Sequence, residues 1–415
     1  MMDARRRGIT AADEGLSRRL ARGAESGRKT GGFAHGRRPA PGNHGARRCF
    51  INHELINSGR QPENATMTPA SATDADLRRA LDASLPFGPS YAGSTGLKLA
   101  SHLPMVLKAL HRLGAPAAAL ERHLGLWRSR LVEEAPAAGP APAAAPAYGA
   151  PYAGWLRHFE SADADPDRLL RAHLPALLAA PESAAFHGAI RLAYACDSGH
   201  RGELLRALAA WCASWRALGP LPAIPDDAPT TIDALRETLA AVRADPGMAM
   251  TLRRGTTIFS DMRVAGELPA FAAHLARARP GLDALAEAAL ASWLATRDFS
   301  ALHLVTGTHA VRTLLARVPL DDAARAAALC RLWRAWLSAW VSIGSPAPDW
   351  AAVHTGTASE SDWAAALPAL AASSDDHAIK LADSAREEWR HRGWPGYARC
   401  LSAARAGTRA SAAAP

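Results

Sequence analysis

Histidine is the residue type whose placement in this chain points to chemistry. There are 16 in 415 residues, and three of them, His35, His44 and His53, fall in the first 66. His111, His123, His158, His200 and His391 neighbour arginines, and with His173 and His274 they are expected on solvated helix faces. Four others differ. His102 follows Ser101 and precedes Pro104, which holds it at a helix start. His187 lies in AAFHGAIRLAYA, apolar enough for a buried helix, with Gly188 and small alanines beside it. His303 lies in FSALHLVTGTHAVR, with Gly307 one turn on, and His377 opens DDHAIKLADSAREEW. A buried imidazole needs partners for both ring nitrogens, or a metal for one. Two readings stay open: four separately satisfied core histidines, or four helices that converge and set four imidazoles round one ion.

Lys380 adds to the second reading. It lies three residues after His377, so the two share a helix face, and Leu381, Ala385 and Trp389 near that face argue for partial burial. Burial and nearby cations depress an amine's pKa. The neutral amine can then react where an ammonium does not, for example by capturing CO2 as a carbamate, an anionic oxygen donor on a long arm. Periodicity alone favours the simpler alternative, a lysine whose stem packs while its head reaches water.

Several familiar frames are missing. There is no GxxxxGK[ST], no GxGxxG after a strand, no GxSxG and no HExxH. Helical di-iron sites draw on two Glu-x-x-His motifs, and the chain does not carry two.

The elements that must position these residues are helical. Ala, Leu and Arg dominate from residue 74 onward, and apolar residues recur at i, i+3, i+4 and i+7 in segment after segment. LKLASHLPMVLKALHRLG, PDRLLRAHLPALLAA and GELLRALAAWCASWRALG are examples. Only TTIFSDM, 256–262, reads as a short extended piece. The expected fold is all-α, a single large multi-helix domain over 67–415. Residues 1–66 are expected to be a disordered basic tail or an over-extended start, with Met67 as the true first residue. A Pro/Ala-rich stretch, 135–154, is expected as an internal linker or lid. The net charge of +9 belongs mostly to the first 66 residues, which hold 13 basic and 6 acidic side chains. The near-neutral body gives no reason to expect nucleic-acid binding. No 18-residue apolar run or signal-type segment occurs. The five scattered cysteines are expected to be reduced thiols in a cytoplasmic protein.

ASHLPMVLKALHRLGA, AAFHGAIRLAYA, FSALHLVTGTHAVR and DDHAIKLADSARE, in this order, together resemble the questin oxidase-like family. The resemblance implies an all-helical fold and oxidative chemistry on polycyclic aromatic polyketides such as anthraquinones. It also implies a mononuclear non-haem Fe(II) site held by His102, His187, His303, His377 and a carboxylated Lys380. Met105 stands where fungal members tend to have a further histidine, and His309 stands where they have an apolar residue. His309 is therefore placed outside the ligand set, in a supporting role.

Imidazole nitrogens with one anionic oxygen suit Fe(II), and also Mn(II) or Zn(II). Five protein ligands leave one octahedral position for O2 or a substrate oxygen. Asp375, Asp376 and Asp383 are candidates for orienting the ligand rings, Thr306 for a polar group near the site, and Trp293, Trp333, Trp336 and Trp340 for core or pocket wall. The expected partners are O2 and a small aromatic substrate. One alternative is a metal-free NADPH-dependent monooxygenase of the Baeyer–Villiger type, although no dinucleotide fingerprint is present. The other is a non-catalytic helical binding protein.

Overall fold

The computed structural model describes residues 70–92, 98–133, 147–162, 164–250 and 257–402. The expected tail, 1–66, lies outside the described residues, as do residues 135–146 of the expected linker. The last residues of that stretch turn into a helix beginning at Tyr152. Sixteen α-helices occur among the described residues. The first eight are α1 (Asp74–Ser84), α2 (Leu103–Leu113), α3 (Ala117–Arg128), α4 (Tyr152–Ser161), α5 (Pro166–Leu177), α6 (His187–Ser198), α7 (Arg201–Ser214) and α8 (Ile232–Ala244). The others are α9 (Ile258–Gly266), α10 (Phe271–Leu275), α11 (Leu282–Thr296), α12 (Ala301–Arg317), α13 (Asp322–Ser342), α14 (Trp350–His354), α15 (Glu360–Ala372) and α16 (Asp376–Arg392). The fold is all-α, as expected. No helix among the described residues is long and apolar enough to cross a membrane.

Two local expectations are corrected. The first concerns TTIFSDM. Thr257 caps a helix there, its hydroxyl accepting from the Ser260 amide while the Ser260 hydroxyl accepts from the Thr257 amide, and residues 258–262 continue as α9. This reciprocal cap outweighs the β-branched side chains. The second concerns KLA, 98–100, which does not extend the helical pattern that continues into α2. Lys98–Ala100 is instead a strand, β2, beside β1 (Phe87–Ala92), and β3 (Leu131–Glu133) completes a small antiparallel sheet in the order β2-β1-β3. Ser90 faces Ala100, and the Ser101 amide donates to the Pro89 carbonyl at 2.9 Å. The sheet therefore delivers the chain to His102 from a fixed direction.

Four helices matter most for function. α2 packs on α6, α6 on α12, α12 on α16 and α16 back on α2, which closes a ring of neighbours. Close approach of α6 and α12 depends on a missing side chain. A Cβ on Gly307 would lie 2.9 Å from Cγ of Phe186, which is itself fully buried. Trp333, Trp336 and Trp340 of α13 are also fully buried, and they form core rather than pocket wall. Gly307→Ala gains about 1 kcal/mol of helix propensity but overpacks the contact by about 1–3 kcal/mol. A net loss of up to about 2 kcal/mol is expected, read as a lower urea midpoint; a raised midpoint would show that Phe186 yields freely.

Candidate metal centre

Each of the four histidines occupies the first turn of its helix. His102 is the residue before α2, His187 the first of α6, His303 the third of α12 and His377 the second of α16. The ring of helices thus turns four N-termini toward one point. The imidazoles meet there in the same cyclic order as the helices. Ring centroids are 4.9 Å apart for His102–His187, 5.1 Å for His187–His303, 5.3 Å for His303–His377 and 4.5 Å for His377–His102. One ring nitrogen from each of His102, His187 and His377 lies within 4.8 Å of the others. His303 completes the ring from the α12 side.

Two of the rings have one nitrogen engaged by a backbone carbonyl. His187 Nδ1 lies 2.7 Å from the Ala184 carbonyl, and His303 Nδ1 lies 3.0 Å from the Phe299 carbonyl. A carbonyl only accepts, so each Nδ1 carries the proton and each Nε2 presents a lone pair. His303 Nε2 is buried without a hydrogen-bond partner. His102 Nε2 and His187 Nε2 stand 2.8 Å apart. Two nitrogens bound at a right angle, each about 2.1 Å from one ion, would lie about 3 Å apart. The donor set fits a transition metal.

Electrostatics favour neutral rings. Burial pushes the pKa of all four histidines far down, His187 to about 3, with the Lys380 ammonium contributing to each shift. The positive ends of four helices act in the same direction. Lys380 is buried, and burial lowers its amine to about 7 against the upward pull of Asp376 and Asp375. Near neutral pH, then, much of Lys380 is free amine. The snorkelling alternative is excluded, because the head is buried with the stem.

The supporting residues divide. Asp376 is buried, with one carboxylate oxygen 3.7 Å from His102 Nδ1 and the other accepting from Trp127 Nε1 at 3.3 Å. It is placed to steady the His102 ring. Asp375 caps α16 by accepting from the His377 amide at 2.9 Å, which fixes the first turn of that helix. Asp383 is engaged elsewhere, accepting Arg112 Nε at 2.9 Å, Arg112 Nη2 at 2.6 Å and the Tyr194 hydroxyl at 2.8 Å. The Thr306 hydroxyl donates to its own helix at Leu302. His309 donates to Glu388 at 2.9 Å, alongside Arg312, in a separate cluster around the buried Glu388. Glu388 and His391 form the chain's single Glu-x-x-His spacing, but His391 is exposed and makes no metal pair with it. His123 and His274, expected on solvated faces, are buried; His274 Nε2 lies 2.7 Å from Asp245, and burial lowers His123 to about 4.

One positioning device carries no signal in the sequence. Ala184, Ala185 and Phe186, directly before His187, have φ of 50°, 56° and 68°. Left-handed backbone costs about 1–2 kcal/mol for each residue with a side chain, and three in succession must be held by their surroundings. Glu182 and Ser183 hold them. Glu182 is fully buried, and its Oε1 accepts from Arg334 Nη2 and from the Leu218 amide, both at 2.9 Å. Arg334 Nη1 donates to the Gly219 carbonyl at 2.6 Å, and the Ser183 hydroxyl accepts the Arg216 amide at 2.9 Å. The turn sets both the His187 ring and the Ala184 carbonyl that fixes its tautomer.

The four histidines line one cavity of about 490 Å³, closed on other sides by Tyr91, Leu99, Arg216, Phe259 and Phe299. Leu99 and Phe299 are the exposed large hydrophobic side chains among the described residues, and both stand on this wall. The Phe299 ring lies 4.5 Å from His377 and 5.3 Å from His303.

The helical scaffold brings four imidazoles together on the wall of one cavity, His102 and His303 buried and His187 and His377 half-buried, a class of site whose donors could hold a metal ion. A family model described as questin oxidase-like matches residues 99–384, and the chain belongs to that family. Membership places it among the oxidoreductases. The matched span contains His102, His187, His303, His377 and Lys380. A search of curated proteins finds none that matches the chain.

Proposed function

We propose that the protein is a mononuclear non-haem iron oxygenase acting on an aromatic, quinone-like substrate. The observation that carries this reading is the ring of four converging imidazoles, in which His303 Nε2 is buried without a partner and His102 Nε2 and His187 Nε2 stand 2.8 Å apart, beside the buried Lys380, whose amine is lowered to about 7 by burial. His102, His187, His303 and His377 would hold Fe(II), with Lys380 joining them as a carbamate. Bound iron would supply electrons to O2.

The chain's own residues do the rest. The Ala184 and Phe299 carbonyls hold the His187 and His303 rings in the Nδ1–H tautomer. Asp376 steadies His102 from behind. A carbamate on Lys380 replaces a cation with an anion at the ends of four helix dipoles, where negative charge is stabilised. Leu99, Phe259 and Phe299 offer apolar faces to a planar ring. The metal-free NADPH reading receives no support from a dinucleotide-type motif in the sequence.

Anaerobic Fe(II) loading followed by elemental analysis and O2-uptake measurements with hydroxylated anthraquinones tests this function. About one iron per chain and quinone-dependent O2 uptake are expected. No retained transition metal would overturn the reading. Lys380→Ala is expected to weaken iron binding roughly 10–100-fold, with no rescue by added bicarbonate, because the nucleophile itself is gone. A fully active variant would remove the carbamate from the proposal.

A further inference from the structure

The histidine cavity does not end at His187. A second cavity of about 410 Å³ lies on the far side of that ring, and Lys98, Leu99, Ala100, Ala184, His187 and Ser214 line both. Arg191 is on the wall of the second cavity, four residues after His187 on α6. The two side chains therefore share a helix face, about 6 Å apart along the axis. Arg191 is 6% exposed. Its Nε and Nη2 donate to the two carboxylate oxygens of Glu203 at 2.7 and 2.9 Å. That fork fixes the plane of the guanidinium. Nη1 is left buried with no hydrogen-bond partner. A buried guanidinium N–H without an acceptor is rare and calls for a ligand.

We propose that Arg191 Nη1 is the anchor for an oxyanion of the substrate, a carboxylate or phenolate carried by an aromatic body that lies past His187 into the first cavity. This rests on the reading of the histidine cavity as the substrate pocket. Glu203 offsets the charge of Arg191, so that pair supplies direction. Lys98, exposed and on the wall of both cavities, supplies net positive charge. Ala210, Ala213 and Gly188 leave the width that a planar ring needs. Gly188 has a packing reason as well, since a Cβ there would meet Trp211 Cδ1 at 2.5 Å. With the anchor one helical turn from His187, the ring that bears the oxyanion, or the ring fused to it, is the one presented to the imidazoles. Arg191 is thus a specificity-determining residue and not a ligand of the metal.

Calorimetric titration of the iron-free protein at pH 7 with 1-naphthoate and with its methyl ester tests the anchor. Without iron, the carboxylate has no metal to bind. The wild type is expected to bind naphthoate at least about 10-fold more tightly than the ester. Arg191→Lys, and the pair Arg191→Gln with Glu203→Gln that leaves no lone buried carboxylate, are expected to lose about 10–100-fold for naphthoate with ester binding and iron loading unchanged. Equal binding of the two probes by the wild type, or unchanged naphthoate affinity in a folded variant, would overturn the proposal. Iron content measured in parallel separates the two ideas. Naphthoate selectivity in a chain that takes up no iron supports the anchor and overturns the iron site; iron uptake without selectivity does the reverse.

Discussion

His187→Ala is expected to reduce iron retained after anaerobic loading from about one per chain to below a tenth, through an affinity loss of at least about 100-fold. His187 is the ring most constrained by its surroundings. Its Nδ1 proton is committed to Ala184, its Nε2 stands 2.8 Å from that of His102, and three strained residues fix where it enters α6. Iron-free stability should fall by only about 1–2 kcal/mol, the net worth of the lost hydrogen bonds to Ala184 and His102. What disappears is the stabilisation that iron confers on the folded state by binding it. Thermal unfolding with and without Fe(II) therefore distinguishes a ligand from a merely structural histidine: the wild type shifts with iron and the variant does not. His309→Ala is the matched control. It too removes a half-buried imidazole, on α12, but one committed to Glu388, and it should keep its iron. If both variants retain iron equally, the four-imidazole ring is not the metal site.

That contrast shows how far the sequence could lead. His102 could be picked out beside a helix-start signal, His187 and His303 within apolar runs and His377 by the lysine that shares its face, but their common placement in first turns is set by where the helices begin. Lys380 could be placed on the His377 face by spacing, but its burial depends on α2, α6 and α12, which lie far away in sequence. His309 stayed ambiguous for the same reason, since its partner Glu388 belongs to another helix. TTIFSDM misled because β-branched residues suggest a strand while the Thr257–Ser260 cap, a weaker pattern, decides for a helix. The small sheet was illegible because its strands are short and β1 contains Gly88 and Pro89. Arg191 looked like one arginine among many. Only the cavity beside it and the two donors taken by Glu203 mark its third donor as unclaimed.

The turn before His187 is the feature furthest from sequence reading, because alanine and phenylalanine carry no preference for left-handed backbone. Its maintenance leads to the second large effect. Glu182→Ala is expected to destabilise the protein by about 3–5 kcal/mol, because it leaves the Arg334 guanidinium buried without its carboxylate. Glu182 is fully buried and Arg334 is 2% exposed, so water does not replace the lost partner. Much of that loss is the penalty of one orphaned charge. Combining Glu182→Ala with Arg334→Met removes the charge and should recover most of the stability, since apolar replacements of buried ion pairs are often neutral. Function should not recover with it. Without Glu182 Oε1, the Leu218 amide and the turn lose their tie, and Ala184–Phe186 can relax toward right-handed backbone, a release of about 1–2 kcal/mol per residue. Relaxation moves the Ala184 carbonyl away from His187 Nδ1 and frees the ring to rotate. The double variant is therefore expected to be near wild type in urea midpoint but about 10–100-fold weaker in iron affinity. Chemical denaturation and Fe(II) titration on the same samples give both readouts. Wild-type iron affinity in the double variant would mean that the strained turn holds its shape without the ion pair, and that His187 is aimed by α6 packing alone.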